Sequence, residues 1–181
     1  MSYAGVPGLV ETREALGETT LVVDRARVAE ACLYLRDELG FNLLLDISAT
    51  DYLGWGDAGV SGYYATAAGR DLNEPMTQGY ERRPESKPKR FSLNYHLLRV
   101  AAASARVRVQ VWLDDGEPVD TVVPVWPAAD WHEREAWDML GIPFNGHPNL
   151  RRLLMDDDWE GHPLRKDYPL GGEPVRFSEA E

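Results

Sequence analysis

Three histidines, His132, His147 and His162, stand fifteen residues apart, the last two inside a repeated Gly-His-Pro, and Asp156, Asp157 and Asp158 lie between them. Imidazoles and carboxylates hold divalent metals and move protons, so these residues are the first candidates for chemistry. Their spacing argues against a metal centre, because ligand pairs usually sit a few residues apart on one element. Each Gly-His-Pro reads instead as a turn whose ring holds backbone groups. The aspartate run fits a helix start or a solvated cluster. A second candidate is Gly54-Trp55-Gly56-Asp57-Ala58-Gly59, a literal G-x-G-x-x-G soon after an apolar run. A dinucleotide site needs a helix to begin at the third glycine, so that amides and the helix dipole meet the pyrophosphate. The residues that follow, VSGYYATAAG, bring two more glycines and no helical period. With no nucleophile signature, P-loop or H-E-x-x-H, no residue is assigned a catalytic, cofactor-binding or metal-binding role.

Composition narrows the classes. The chain has 181 residues, of which 44% are hydrophobic, and a formal charge of -11. That is enough apolar content for one domain with a core, and the wrong sign for tracking a phosphate backbone, so nucleic acid is excluded as a partner. The single cysteine, Cys32, rules out an internal disulfide and a self-contained cysteine-ligated cluster. No stretch reaches the roughly 20 apolar residues of a membrane span, and the N-terminus has no signal-peptide pattern.

The elements that must position any site are mostly readable. A short helix is expected around Pro7 to Leu16, then a strand over Thr19 to Val23. From the capping residue Asp24, the apolar stripe Val28, Ala31, Cys32, Leu35 and Leu39 predicts an amphipathic helix ending at Gly40. Leu43 to Ile47 reads as a buried central strand, and residues 54–90 as a long surface insertion. Alternation through Phe91, Leu93, Tyr95 and Leu97, and through Val107, Val109, Val111 and Leu113, predicts two half-buried antiparallel strands. His96 lies on the first of them and nothing nearby completes a site around it. A further strand is expected at Thr121 to Val123. The fold class is α+β: a small, mostly antiparallel sheet covered by helices in residues 1–142, followed by an extended segment, 143–181.

The most readable helix starts at Asp130, with Glu133 at the return position of a capping box, and ends at Gly141. His132, Ala136, Met139 and Leu140 form its expected buried face. Trp131, Arg134, Glu135 and Asp138 line another, and tryptophan and arginine together are typical of interface anchors. From Glu133 to Leu170 charge alternates with Trp137, Phe144, Trp159 and Tyr168, while Pro143, Pro148, Pro163 and Pro169 forbid a long helix. Such a segment cannot build its own core and must find partners elsewhere, either by wrapping the body of this protein or by lying on another one, the second being the preferred reading. The expectation is that it lies on foreign protein through Arg151, Arg152, Trp159, Arg165, Lys166, Asp167 and Tyr168, with His147 and His162 at its turns.

The same segment resembles a known family. Glu-Arg-Glu followed by Trp-Asp-Met, then Gly-His-Pro-Asn-Leu-Arg-Arg, then Asp-Asp-Trp-Glu-Gly-His-Pro-Leu-Arg-Lys-Asp-Tyr-Pro-Leu, is similar to the signature of the 30 kDa subunit, or C subunit, of NADH:quinone oxidoreductase, respiratory complex I. The likeness extends to Asp51-Tyr52, Tyr95-His96-Leu97-Leu98 and Val125-Trp126-Pro127, and departs from the family in the length of the insertion. It implies a member of the hydrophilic arm with no cofactor of its own. FMN and iron–sulfur clusters would belong to partner subunits, which include the one that shapes the quinone site. The location implied is peripheral, on the cytoplasmic side of the bacterial inner membrane. Two alternatives remain at this point: the equivalent component of a membrane-bound hydrogenase or ferredoxin-linked quinone oxidoreductase, and an independent nucleotide- or metal-binding enzyme.

Overall fold

The computed structural model describes residues 2–55 and 86–169, together with the backbone of 63–65 and 80–82. Strands β1 (Leu9–Ala15) and β2 (Glu18–Val23) form an antiparallel hairpin. Its turn residues, Leu16 and Gly17, both have positive φ, 53° and 79°, the backbone a two-residue turn needs to follow strand twist. Pro7 to Leu16 is therefore largely strand, not the expected helix: Glu, Arg and Ala favour a helix locally, but pairing Thr12 with Leu21 and Glu14 with Thr19 overrides that preference.

Asp24 accepts a hydrogen bond from the Ala26 amide at 2.9 Å and starts a 3-10 turn, Arg25–Arg27, which leads into α1 (Val28–Asp37). The expected stripe is inside, with Val28, Ala31, Cys32 and Leu35 buried. Burial also pushes the Cys32 thiol well above its ordinary value, so the group behaves as a small apolar side chain. Next come β3 (Leu43–Asp51), the short antiparallel pair β4 (Tyr63–Ala65) and β5 (Tyr80–Arg82), then β6 (Phe91–Arg99), β7 (Ala105–Leu113) and β8 (Val119–Asp120). Helix α2 (Ala129–Leu140) and β9 (Phe144–Asn145), which pairs in parallel with β8, complete the order.

The main sheet runs β1-β2-β7-β6-β3, antiparallel except where β2 meets β7. Phe91, Leu93, Tyr95 and Leu97 of β6 and Val107, Val109, Val111 and Leu113 of β7 point to one face, where α1 and α2 cover them. Each such fully buried side chain contributes about 2 kcal/mol. The other face carries a polar ladder, in which Arg108 donates to Thr20 and Gln110 donates to Asn94. Strand β3 is an edge, not the central strand its apolar run suggests, and Leu43 and Leu45 are exposed beside a bulge between Leu44 and Asp46.

Two further expectations change around α2. The strand expected at Thr121 to Val123 lies earlier, at Val119–Asp120. Helix α2 begins at Ala129 with no side-chain cap, so Asp130 and Glu133 do not form a capping box. Its end is as expected, Gly141 closing it in the left-handed conformation at φ 75°. Of the insertion, residues 56–62, 66–79 and 83–85 lie outside the described residues, and with them most of the glycine motif. Residues 170–181 lie outside as well.

Candidate functional site

Asp138, expected on an outward face of α2, is fully buried, and the segment beyond the helix is built onto it. One carboxylate oxygen, Oδ2, accepts the amides of Leu153 at 2.9 Å, Leu154 at 2.7 Å and Met155 at 3.0 Å. The other accepts from the Arg152 guanidinium at 2.7 Å. Burial alone would raise its pKa, but the three amides and Arg152 outweigh burial and hold it at about 2. Arg134, one turn earlier and also buried, donates to the carbonyls of Arg151 and Arg152 at 3.1 and 3.0 Å. These two residues thus grip one loop from the same helix face instead of pairing with each other. Arg152 then donates to the carbonyls of Trp159 and Gly161, and His162 Nδ1 donates to the Asp138 carbonyl at 2.9 Å. The His162 ring lies so close to Gly141 that a Cβ there would meet it at 2.6 Å, so the helix-ending glycine also makes room for the strap.

A second knot ties the strap to the end of β3. The side chain of Asp51 is fully buried and accepts from Arg90 at 2.9 and 3.1 Å, from the Leu53 amide and from the Lys166 amide. Arg165 grips Asp115 with both terminal nitrogens, at 2.9 and 2.6 Å, and Asp167 lies between Arg165 and Arg90. Both guanidiniums sit against the Phe91 ring, at 4.7 and 5.4 Å. The two arginines hold Asp167 far below the usual carboxylate range, and Arg165 lowers Asp115. Burial works against this at Asp51, yet Arg90 and the two amides still lower it. A charge shared in this way matters most where water is excluded. Asp51→Asn is expected to cost about 2 kcal/mol, because a buried charged hydrogen-bond partner is lost, whereas Asp115→Asn should cost less than about 1 kcal/mol at its half-exposed position. Thermal melting of the two variants side by side checks the ranking.

A third cluster carries a carboxyl shifted the other way. Glu133 is fully buried, accepts from the Thr121 hydroxyl at 2.5 Å and from the Val122 amide at 2.7 Å, and so holds the loop after β8. Burial raises its pKa to about 7, only partly opposed by those two bonds. His147 Nε2 is 3.9 Å away, but its Nδ1 accepts the Asn149 amide at 3.0 Å, which leaves the ring proton on Nε2, facing Asp130. His132 is elsewhere, 3.3 Å from Asp46. The three histidines therefore serve three separate places, and among the described residues no three His, Cys, Asp or Glu side chains could hold a metal ion together.

What faces outward is a different set. Trp131 is 59% exposed, Leu154 62%, Leu164 58% and Trp159 40%. Glu135, Arg151, Lys166 and Asp167 are exposed too, while Tyr168 is half-buried against Gly161, where a Cβ would meet its ring at 2.8 Å. Of the residues singled out from sequence, Arg134, Asp138, Arg152, His147, His162, Arg165 and Asp167 are engaged within the chain. Within the chain itself these bonds already give those charges partners. Asp51, Arg90, Asp115, Glu133, Leu154 and Leu164 were missed as participants. Their contacts join positions far apart in sequence, and no local spacing signals them.

A five-stranded mixed sheet covered on one face by two helices, with a non-repetitive strap lashed over α2 and the end of β3, defines the class as a strapped α+β domain. The chain belongs to the family described as respiratory-chain NADH dehydrogenase, 30 Kd subunit, whose profile matches residues 21–174. It is 39% identical over 180 residues to the C subunit of the NADH-quinone oxidoreductase of Vesicomyosocius okutanii, an alignment covering 98% of this chain and 85% of that one. It is 42% identical to the protein of the same name from Hydrogenovibrio crunogenus, over 92% of this chain and 75% of that one. Among solved structures, it is similar to the trypsin-resistant fragment (1-134) of Nqo5, with a TM-score of 0.56 and 27% identity over 76% of this chain and 86% of that one. A chain of the membrane-bound sulfane sulfur reductase, an archaeal respiratory membrane complex, shares the fold, with a TM-score of 0.61 at 20% identity over 98% of this chain and 90% of that chain.

Proposed function

We propose that this chain is a non-catalytic structural subunit of the hydrophilic arm of a proton-pumping NADH:quinone oxidoreductase, holding iron–sulfur and quinone-site subunits in register while electrons pass from NADH to quinone. One observation carries this reading: the strap is fixed from beneath by buried charges, while Leu154, Trp159 and Leu164 stand outward on it and Trp131 stands outward on α2. Aromatic and aliphatic side chains presented on a backbone that is already ordered give binding area at little further entropy cost. Register matters because electron tunnelling falls steeply with distance, so a small change in cluster spacing alters the rate more than a local side chain does. The FMN and clusters belong to the partners. No helix among the described residues is long and apolar enough to cross a membrane, and attachment to the cytoplasmic face runs through neighbouring subunits.

Purification of the tagged chain from the organism that encodes it tests the reading. The expected result is stoichiometric co-elution with other subunits, with flavin and iron in the assembly. Elution of the chain alone, carrying its own nucleotide or metal at one per molecule, would overturn it.

A further inference from the structure

Beside the strap, β3 forms an edge of the main sheet with no further strand paired to it among the described residues, and this edge opens a second binding surface. A hollow of ≈ 170 Å³ runs between β3 and α2, lined by residues 46–49 on one side and by Glu135, Ala136 and Met139 on the other, with Leu164 of the strap also on its wall. Successive side chains of a strand point to opposite faces, so four consecutive residues can line one hollow only if it follows the strand's edge and exposes its backbone. Strand β3 is the edge of the main sheet, and beyond the bulge at Leu44 and Asp46 its pairing with β6 is regular through Asp51. An edge beside a helix offers unpaired main-chain groups and an apolar wall together, which is the setting for adding a strand from another chain. The hollow is smaller than the usual range for small-molecule sites, about 300 Å³ upward, and suits a few side chains better than a metabolite.

We infer that β3 takes an extended segment of a partner protein as a sixth strand, and that the side of this segment facing α2 carries small apolar residues together with lysine or arginine. The apolar members would meet Ile47, Met139 and Leu164. The cations would meet Glu135, which makes no ion pair among the described residues, and Asp46, whose ion-pair partner is His132. A chain of charge -11 favours a basic guest over a second copy of itself. The inference rests on the proposed role as a subunit of a larger assembly.

Amide hydrogen exchange of residues 46–50, followed in the full isolated chain and in the purified assembly, separates the two ideas. The expected result is exchange slowed at least about tenfold in the assembly at the outward amides. The double variant Asp46→Arg with Glu135→Arg should melt like the wild type and lose most of that protection. If the chain sits in the assembly and those amides exchange as fast as in isolation, the added strand is wrong and the subunit role stands. If the chain enters no assembly, both fall. Concentration-dependent protection in the isolated chain would identify a second copy as the occupant and overturn the basic partner, and so would full protection in the double variant.

Discussion

Replacing Asp138 by alanine is expected to cost about 4 kcal/mol of stability and to free the strap, because a buried charge pair loses one member and several donors lose their acceptor at once. The carboxylate serves the amides of Leu153, Leu154 and Met155 as well as Arg152, and among the described residues no other acceptor is bonded to those three amides. For a chain of this size such a loss lowers the melting temperature by roughly 10 °C. Arg152, released from Asp138, no longer directs its second nitrogen to the carbonyls of Trp159 and Gly161, so the disturbance spreads along the strap. Protease cleavage between residues 150 and 165 should rise well before global unfolding. Asp138 also gives the chain an acid limit. Its pKa in the fold, about 2, lies below the ordinary 3.8, so its stabilisation is complete above pH 4 and disappears as pH falls toward 2. The alanine variant should lack that part of the acid transition, which melting curves between pH 2 and 6 would reveal.

Glu133→Gln is expected to act in the opposite direction. A folded-state pKa near 7 against an ordinary 4.5 means that the fold favours the protonated acid. Stability from this group is full below pH 4.5 and is lost as pH rises through 7. The gap, at about 1.4 kcal/mol for each pH unit, is worth about 3 kcal/mol. Glutamine keeps an oxygen for the Val122 amide and supplies an amide opposite Thr121, without a charge to bury. At pH 8 the variant should therefore be the more stable protein by about 3 kcal/mol, and the difference should vanish near pH 4. Melting curves at both pH values decide the matter, and an equal difference at both would show that desolvation of the carboxylate is not the cause.

Both predictions concern residues whose roles their local sequence misrepresents. Glu133 and Asp130 fit a capping-box pattern, but Glu133 is taken by a loop eleven and twelve residues upstream. Arg134 and Asp138 read as outward because they are charged, and they are buried because a loop without any period folds over them. Periodicity reports one element's preference and carries no information about a non-repetitive segment that arrives later. Where local order suffices, sequence and structure agree: the stripe of α1, the alternation of β6 and β7, and the stop at Gly141 are all in place. An apolar run such as Leu43 to Ile47 establishes a strand without saying which neighbours it has, so β3 reads as the centre of the sheet and is found at its edge. The need of the segment after Glu133 for partners outside itself is legible from its prolines and charges. That many of those partners are α2 and the sheet of the same chain is not.

The central claim is that the outward side chains of the strap bind neighbouring subunits while its charges serve the fold. It is tested most directly by the combined variant Leu154→Ala and Trp159→Ala on the strap with Trp131→Ala beside them on α2, which leaves the side chains of Asp51, Arg90, Asp138 and Arg152 and the Leu154 amide in place. The claim predicts that the isolated variant melts like the wild type, while recovery of the assembled complex and its NADH:quinone activity fall at least about tenfold, as expected when aromatic interface anchors are removed. Normal assembly with full activity would contradict it.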